Sequence, residues 1–134
     1  MKHILTLIMI LSLNQFFGQH IIEKQRDACL DSVENQTTYG MVGCIEKATK
    51  KWKIEMDKNY QKLMGLLSKS QKENLKASQK LWFEYRNKET IFSNKLYDDL
   101  DGTMWLPIAA EERYNLMKAR ANRLSNYISE LEIE

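Results

Sequence analysis

This 134-residue sequence predicts an all-α fold: an irregular bundle of about four helices, with antiparallel long helices and one disulfide. Three observations carry the prediction. Between Met41 and Leu67 apolar residues recur in steps of three and four (Met41, Ile45, Ala48, Trp52, Met56, Tyr60, Leu63, Leu67), the strongest period in the chain. Five glycines and one proline, Pro107, leave few breaks, and strands are hard to place. Two cysteines, Cys29 and Cys44, stand in a chain that opens like an exported one.

The opening is Met1, Lys2 and His3, then the apolar run of residues 4 to 13, then Gly18 before polar sequence. A charged start, a short apolar core and a small residue describe a secretory signal peptide, and the run is too short to span a bilayer. Cleavage is expected after Gly18, although Phe16 departs from the small-residue rule; a core helix is the alternative. Residues 19 to 134 then form one domain, periplasmic or secreted.

A first helix is predicted over residues 20 to 36, with Ile22, Cys29 and Val33 on one side, and residues 37 to 40 break it at Gly40. The second helix covers residues 41 to 67. Ser70 and Glu73 match a capping box, so the third helix is set to start at Ser70 and run antiparallel to the second as far as Leu96 or Tyr97. Residues 98 to 103 form an acidic turn. Pro107 suits the first turn of a last helix, with Ile108, Leu116, Ala119, Arg123, Leu124, Tyr127 and Leu131 as its apolar side.

Charge and cysteine usage bound the function. Twenty Lys and Arg against eighteen Asp and Glu is near balance, and losing Lys2 with the signal peptide brings it closer, which argues against a general nucleic-acid or membrane-surface binder. Export makes a Cys29–Cys44 disulfide the default, with about 3 kcal/mol of chain-entropy stabilisation; two buried thiols are the alternative. Catalysis finds little support. His3 leaves with the signal peptide, His20 lies at the new N-terminus, and adjacent Glu111 and Glu112 point about 100° apart on a helix. Asp99, Asp101 and Gly102 match only part of a calcium loop, whose terminal glutamate would fall at Ile108. No cofactor and no metal are expected.

On the third helix Leu75, Gln79, Trp82, Arg86 and Glu89 share one stripe, with Tyr85 beside it. Leu75-x-x-x-Gln79-x-x-Trp82-x-x-Tyr85-Arg86 resembles the signature of the LprI-type lysozyme-inhibitor-like family. Asp27-x-Cys29, Met41-x-x-Cys44, Met56-Asp57-x-x-Tyr60-Gln61-x-Leu63, Gly102-Thr103, Arg120 and Leu124 extend the resemblance over most of the mature chain. It implies an exported, helical, disulfide-bearing bacterial domain, with lysozyme inhibition attributed to the member that names the family. Asp57 and Val42 replace asparagines of the family pattern. A further cysteine found in many members has no counterpart near Glu89 and Thr90, so their second disulfide is absent here.

Two surfaces are candidate sites. Asp57 and Tyr60 of the second helix, facing Gln79, Trp82, Tyr85, Arg86 and Glu89, form either a polar network that fixes helix register or a groove for an anionic or sugar ligand. The loop with Asp98, Asp99 and Asp101, followed by Met104 and Trp105, carries three acids and no base. Such a loop can steer and anchor a basic protein, the ring burying area; otherwise it is a solvated turn whose Trp105 packs into the bundle. The expected function is that of a non-enzymatic binding protein, with a lysozyme-like hydrolase as partner. The competitors are a small-ligand or envelope-stress module using the Trp82 and Arg86 groove, and a toxin-immunity protein.

Overall fold

The computed structural model describes residues 20 to 133; the expected signal peptide lies outside them. Four helices follow in order: α1 (Ile21–Asp31), α2 (Thr38–Leu66), α3 (Lys69–Asp98) and α4 (Trp105–Glu132), with a 3-10 turn at Val33–Asn35. The fold class is as predicted, and Cys29 and Cys44 are bonded, their Cα atoms 5.7 Å apart.

The apolar period of α2 reappears as its buried face. Ile45, Ala48, Trp52, Met56 and Leu63 are buried, with Tyr60 and Leu67 packed against them. Its main neighbour is α4 rather than the hairpin-linked α3. Trp52 Nε1 donates to the Tyr114 hydroxyl (3.2 Å), and Asn59 Nδ2 donates to the Ala121 carbonyl (3.2 Å). Both pairs are 62 residues apart, so α2 and α4 run parallel, and α3 is the antiparallel return between them.

The buried side of α4 differs from the predicted one. Ala110, Tyr114, Met117, Ala121, Leu124 and Ile128 face α2, while Ile108, Ala119, Arg123, Tyr127 and Leu131 are exposed and only Leu124 keeps its predicted place. The helix carries apolar residues on more than one side. Alanines at 110 and 121 let the α2 and α4 backbones approach, and that outweighs bulk at the rejected positions.

α1 runs antiparallel to α2 and α4. Arg26 donates to Glu111 (2.6 Å) and Asp27 (2.9 Å) and lies over the Tyr114 ring (4.6 Å), while Glu23 pairs with Lys118. Desolvation is the largest single influence on Arg26 and lowers its pKa; the combined pull of Asp27, Glu111 and Tyr114 exceeds it, and the net direction is upward. His20 caps α1, its Nδ1 accepting from Ile22 N–H (3.2 Å), and its ring lies against Trp52, centroids 4.5 Å apart and planes tilted by 35°.

Several boundaries move. α1 ends at Asp31, and Val33, predicted to be inward, is 83% exposed in the 3-10 turn. Gly40 does not break a helix but sits in the first turn of α2, capped by Thr37; a Cβ there would meet the Asn35 backbone at 2.7 Å. The capping box of α3 is Ser68 with Gln71, not Ser70 with Glu73, both spacings matching the same rule; the earlier serine starts the helix at Lys69. Pro107 is the third residue of α4, where a missing N–H leaves no helical bond unmade.

Candidate functional site

The C-terminal end of α3, the loop of residues 99 to 104 and the start of α4 meet the first turns of α2 at one end of the bundle. Gly102 takes φ of 91°, a left-handed turn that brings Thr103 Oγ1 within 3.3 Å of Thr38 Oγ1. Trp105 lies flat on Tyr97, centroids 5.7 Å apart and planes 11° from parallel, and its Nε1 donates to the Asp101 carbonyl (3.0 Å). The Tyr97 hydroxyl donates to Glu112, and that bond is the main reason the phenol's pKa is raised. Trp105 is therefore half-buried and holds the loop; it is not a free anchor.

A cleft of about 730 Å³ opens beside this stack, walled by Tyr39, Val42, Asp98, Leu100, Trp105 and Leu106. Tyr39 is 75% exposed at its rim, and Met104 is 60% exposed nearby. Of the three acids, Asp99 is tied to Lys95 (2.7 Å), whereas among the described residues neither Asp98 nor Asp101 has a basic partner. Arg113 is held across the cleft by Asn94 (3.1 Å) and Glu46 (3.7 Å). Composition marked the acids; nothing in a linear reading placed Tyr39 and Val42 beside them, because they come from the start of α2.

The other predicted cluster is divided by the structure. Asp57 is exposed and paired with Lys53 (2.6 Å), away from the stripe, while Tyr60 packs against the core. Gln79 is buried, its Nε2 donating to Met56 Sδ (3.6 Å) and its Oε1 accepting from Arg120 Nε (2.8 Å). Arg120 also reaches Ser78 (3.3 Å) and lies 5.9 Å from the Trp82 ring centre, and burial lowers its pKa against an opposing pull from Tyr127. Trp82 is half-buried against Phe83.

Tyr85 is 53% exposed on the outer side. Arg86 makes no ion pair with Glu89 among the described residues, and its Nε is buried without a hydrogen-bond partner, as is Thr90 Oγ1. Glu89 lines a separate cleft of about 380 Å³ with Tyr85, Thr90 and Leu116. Trp82 and Arg86 line none of these openings. Arg120, the partner of Gln79, lies on α4, and in the sequence it stands out only through the family resemblance.

Glu111 and Glu112 are engaged by Arg26 and Tyr97, and among the described residues no group of three His, Cys, Asp or Glu could hold a metal ion. No helix among them is long and apolar enough to cross a membrane.

The family model described as Lysozyme inhibitor LprI matches residues 29 to 124. The crystal structure of an uncharacterised protein from Burkholderia thailandensis is similar in fold, with a TM-score of 0.80 at 24% identity, over 85% of this chain and 56% of that one. This chain thus spans little more than half of that protein's length. No curated protein matches. The family match runs from the first disulfide cysteine through the α2 core and the Gln79–Arg120 junction to Leu124, and on that ground the chain belongs to the LprI lysozyme inhibitor family.

Proposed function

We propose that the protein is an exported, non-enzymatic inhibitor of a lysozyme or of another hydrolase that acts on the cell envelope, and that it binds through the end of the bundle built from residues 98 to 105 and the start of α2. The observation that carries this reading is Asp98, a carboxylate with no basic partner among the described residues, in the wall of a cleft whose rim exposes Tyr39, with Asp101 in the adjoining loop. Acids at a rim steer a basic protein during encounter, and apolar and aromatic walls bury area once it docks. Animal-type lysozymes are strongly basic, which suits such a surface. Trp105, stacked on Tyr97, keeps the loop in shape for that contact, so little ordering remains to be done on binding.

The chain from Gln19 onward should slow lysis of bacterial cell walls by lysozyme at near-stoichiometric ratio. Replacing Asp98, Asp99 and Asp101 together with lysine should raise the inhibitor concentration required by at least about tenfold, the equivalent of 1.4 kcal/mol. Absence of slowing at a large excess of the unmodified chain sinks the proposal.

A further inference from the structure

The cleft beside the stack of Tyr97 and Trp105 lacks one positive charge. Three ionised side chains stand in its wall, Glu46, Asp98 and Arg113. Arg113 is engaged by Asn94 (3.1 Å) and Glu46 (3.7 Å), so it offsets Glu46 and leaves Asp98 uncompensated. The neighbouring Lys95 is tied to Asp99 (2.7 Å) and does not make up the difference.

Much of the remaining wall is aromatic and apolar: Tyr39, Trp105, Val42 and Leu106 line it. Elsewhere in the chain the rings of Tyr114, Trp82 and Tyr127 each have a guanidinium over them, from Arg26, Arg120 and Arg123, whereas among the described residues no cation lies over Tyr39 or Trp105. A lone carboxylate among flat π-faces and apolar walls matches one side chain in particular, a guanidinium on a methylene stem. Its plane lies against a ring, two of its N–H groups reach both oxygens of one carboxylate, and its stem covers apolar wall.

We propose that this cleft receives one arginine side chain of the partner protein, its guanidinium paired with Asp98 and its stem against Val42 and Leu106. The proposal rests on reading this end of the bundle as the docking surface for a basic protein, and it adds the contact that seats the partner. Lysine suits the cleft less well, because its ammonium is a strongly hydrated point charge that cannot bond a carboxylate through a planar fork. A second cation finds no place, since Arg113 already stands in the wall and Asp98 is the single charge to be met. The walls are set beforehand: the Thr38 and Thr103 hydroxyls hold the start of α2 to the loop, and the Trp105 indole donates to the Asp101 carbonyl.

Nuclear magnetic resonance titration of the isotope-labelled chain from Gln19 onward with acetyl-Gly-Arg-Gly-amide, and with the same peptide carrying lysine or citrulline, reads this contact without lysozyme. The arginine peptide should shift the Trp105 indole N–H and the amides around Tyr39 and Asp98. The lysine peptide should bind at least about threefold more weakly, and the citrulline peptide, which keeps the shape and loses the charge, should leave these signals in place. Asp98→Asn should weaken the arginine peptide at least about tenfold, while Glu84→Gln, on the same helix outside the cleft, should not change it; both side chains are exposed, so helical circular dichroism is expected to stay the same. No shift with the arginine peptide at tens of millimolar, equal binding of the citrulline peptide, or indifference to Asp98→Asn overturns the arginine cleft, and continued slowing of lysozyme would then leave the inhibitor reading standing. A chain that binds the arginine peptide through Asp98 yet leaves lysozyme unaffected supports the cleft and removes lysozyme as the partner.

Discussion

α2 and α3 are nearly equal in length, 29 and 30 residues, yet they do different work. α2 buries seven residues, among them Trp52 and Met56, which are almost wholly out of solvent against Tyr114, Met117 and Leu124 of α4. α3 buries three, Leu75, Gln79 and Ser93, and two of those are polar. Apolar burial at about 25 cal/mol per Å² therefore stabilises the pair α2 and α4, which α1 braces through the disulfide and the Arg26 network. α3 is fastened to them by specific contacts: Gln79 with Arg120, Tyr97 with Glu112, and Arg113 with Asn94. A helix held in this way keeps a large surface available, and the acidic end lies on it.

Truncation in the α2–α4 pair gives the largest expected effect. Trp52→Ala removes a fully buried ring and the hydrogen bond to Tyr114, and urea unfolding should show a loss of about 3–5 kcal/mol. Arg120→Ala strands the buried Gln79 amide oxygen and uncovers Trp82, for an expected loss of about 1–3 kcal/mol. On the outer side of α3, Leu81→Ala should stay within about 0.5 kcal/mol in the monomer. Equal losses at Trp52 and Leu81 would erase the contrast between the two helices.

What could be read in the sequence follows the same division. The face of α2 was legible because its apolar positions keep one period for more than six turns and its other sides are polar. α4 was misread because Ile108, Leu116 and Leu131 offer bulk on the wrong side, while the true face relies on alanines that no hydropathy pattern favours. An opening that reads as an export signal and two cysteines sufficed to predict the disulfide. The polar stripe on α3 was visible as a stripe, but its partner was placed on α2, at Asp57, when the contact that matters comes from Arg120, forty-one residues further along the chain than Gln79. Hairpin connectivity suggested the wrong neighbour. The same reasoning explains the loop: its acids stand out in composition, whereas the stacking of Trp105 on Tyr97 depends on the left-handed turn at Gly102.

Amide hydrogen exchange on the dilute protein, alone and with lysozyme, tests this division most directly. Amides in the middle of α2 and α4 should exchange only through global unfolding in both samples. Those of the C-terminal half of α3 and of residues 99 to 104 should exchange faster in the free protein and slow on addition of lysozyme. Protection of α3 equal to that of α2 in the free monomer, or lysozyme-dependent slowing confined to α1, would contradict the account.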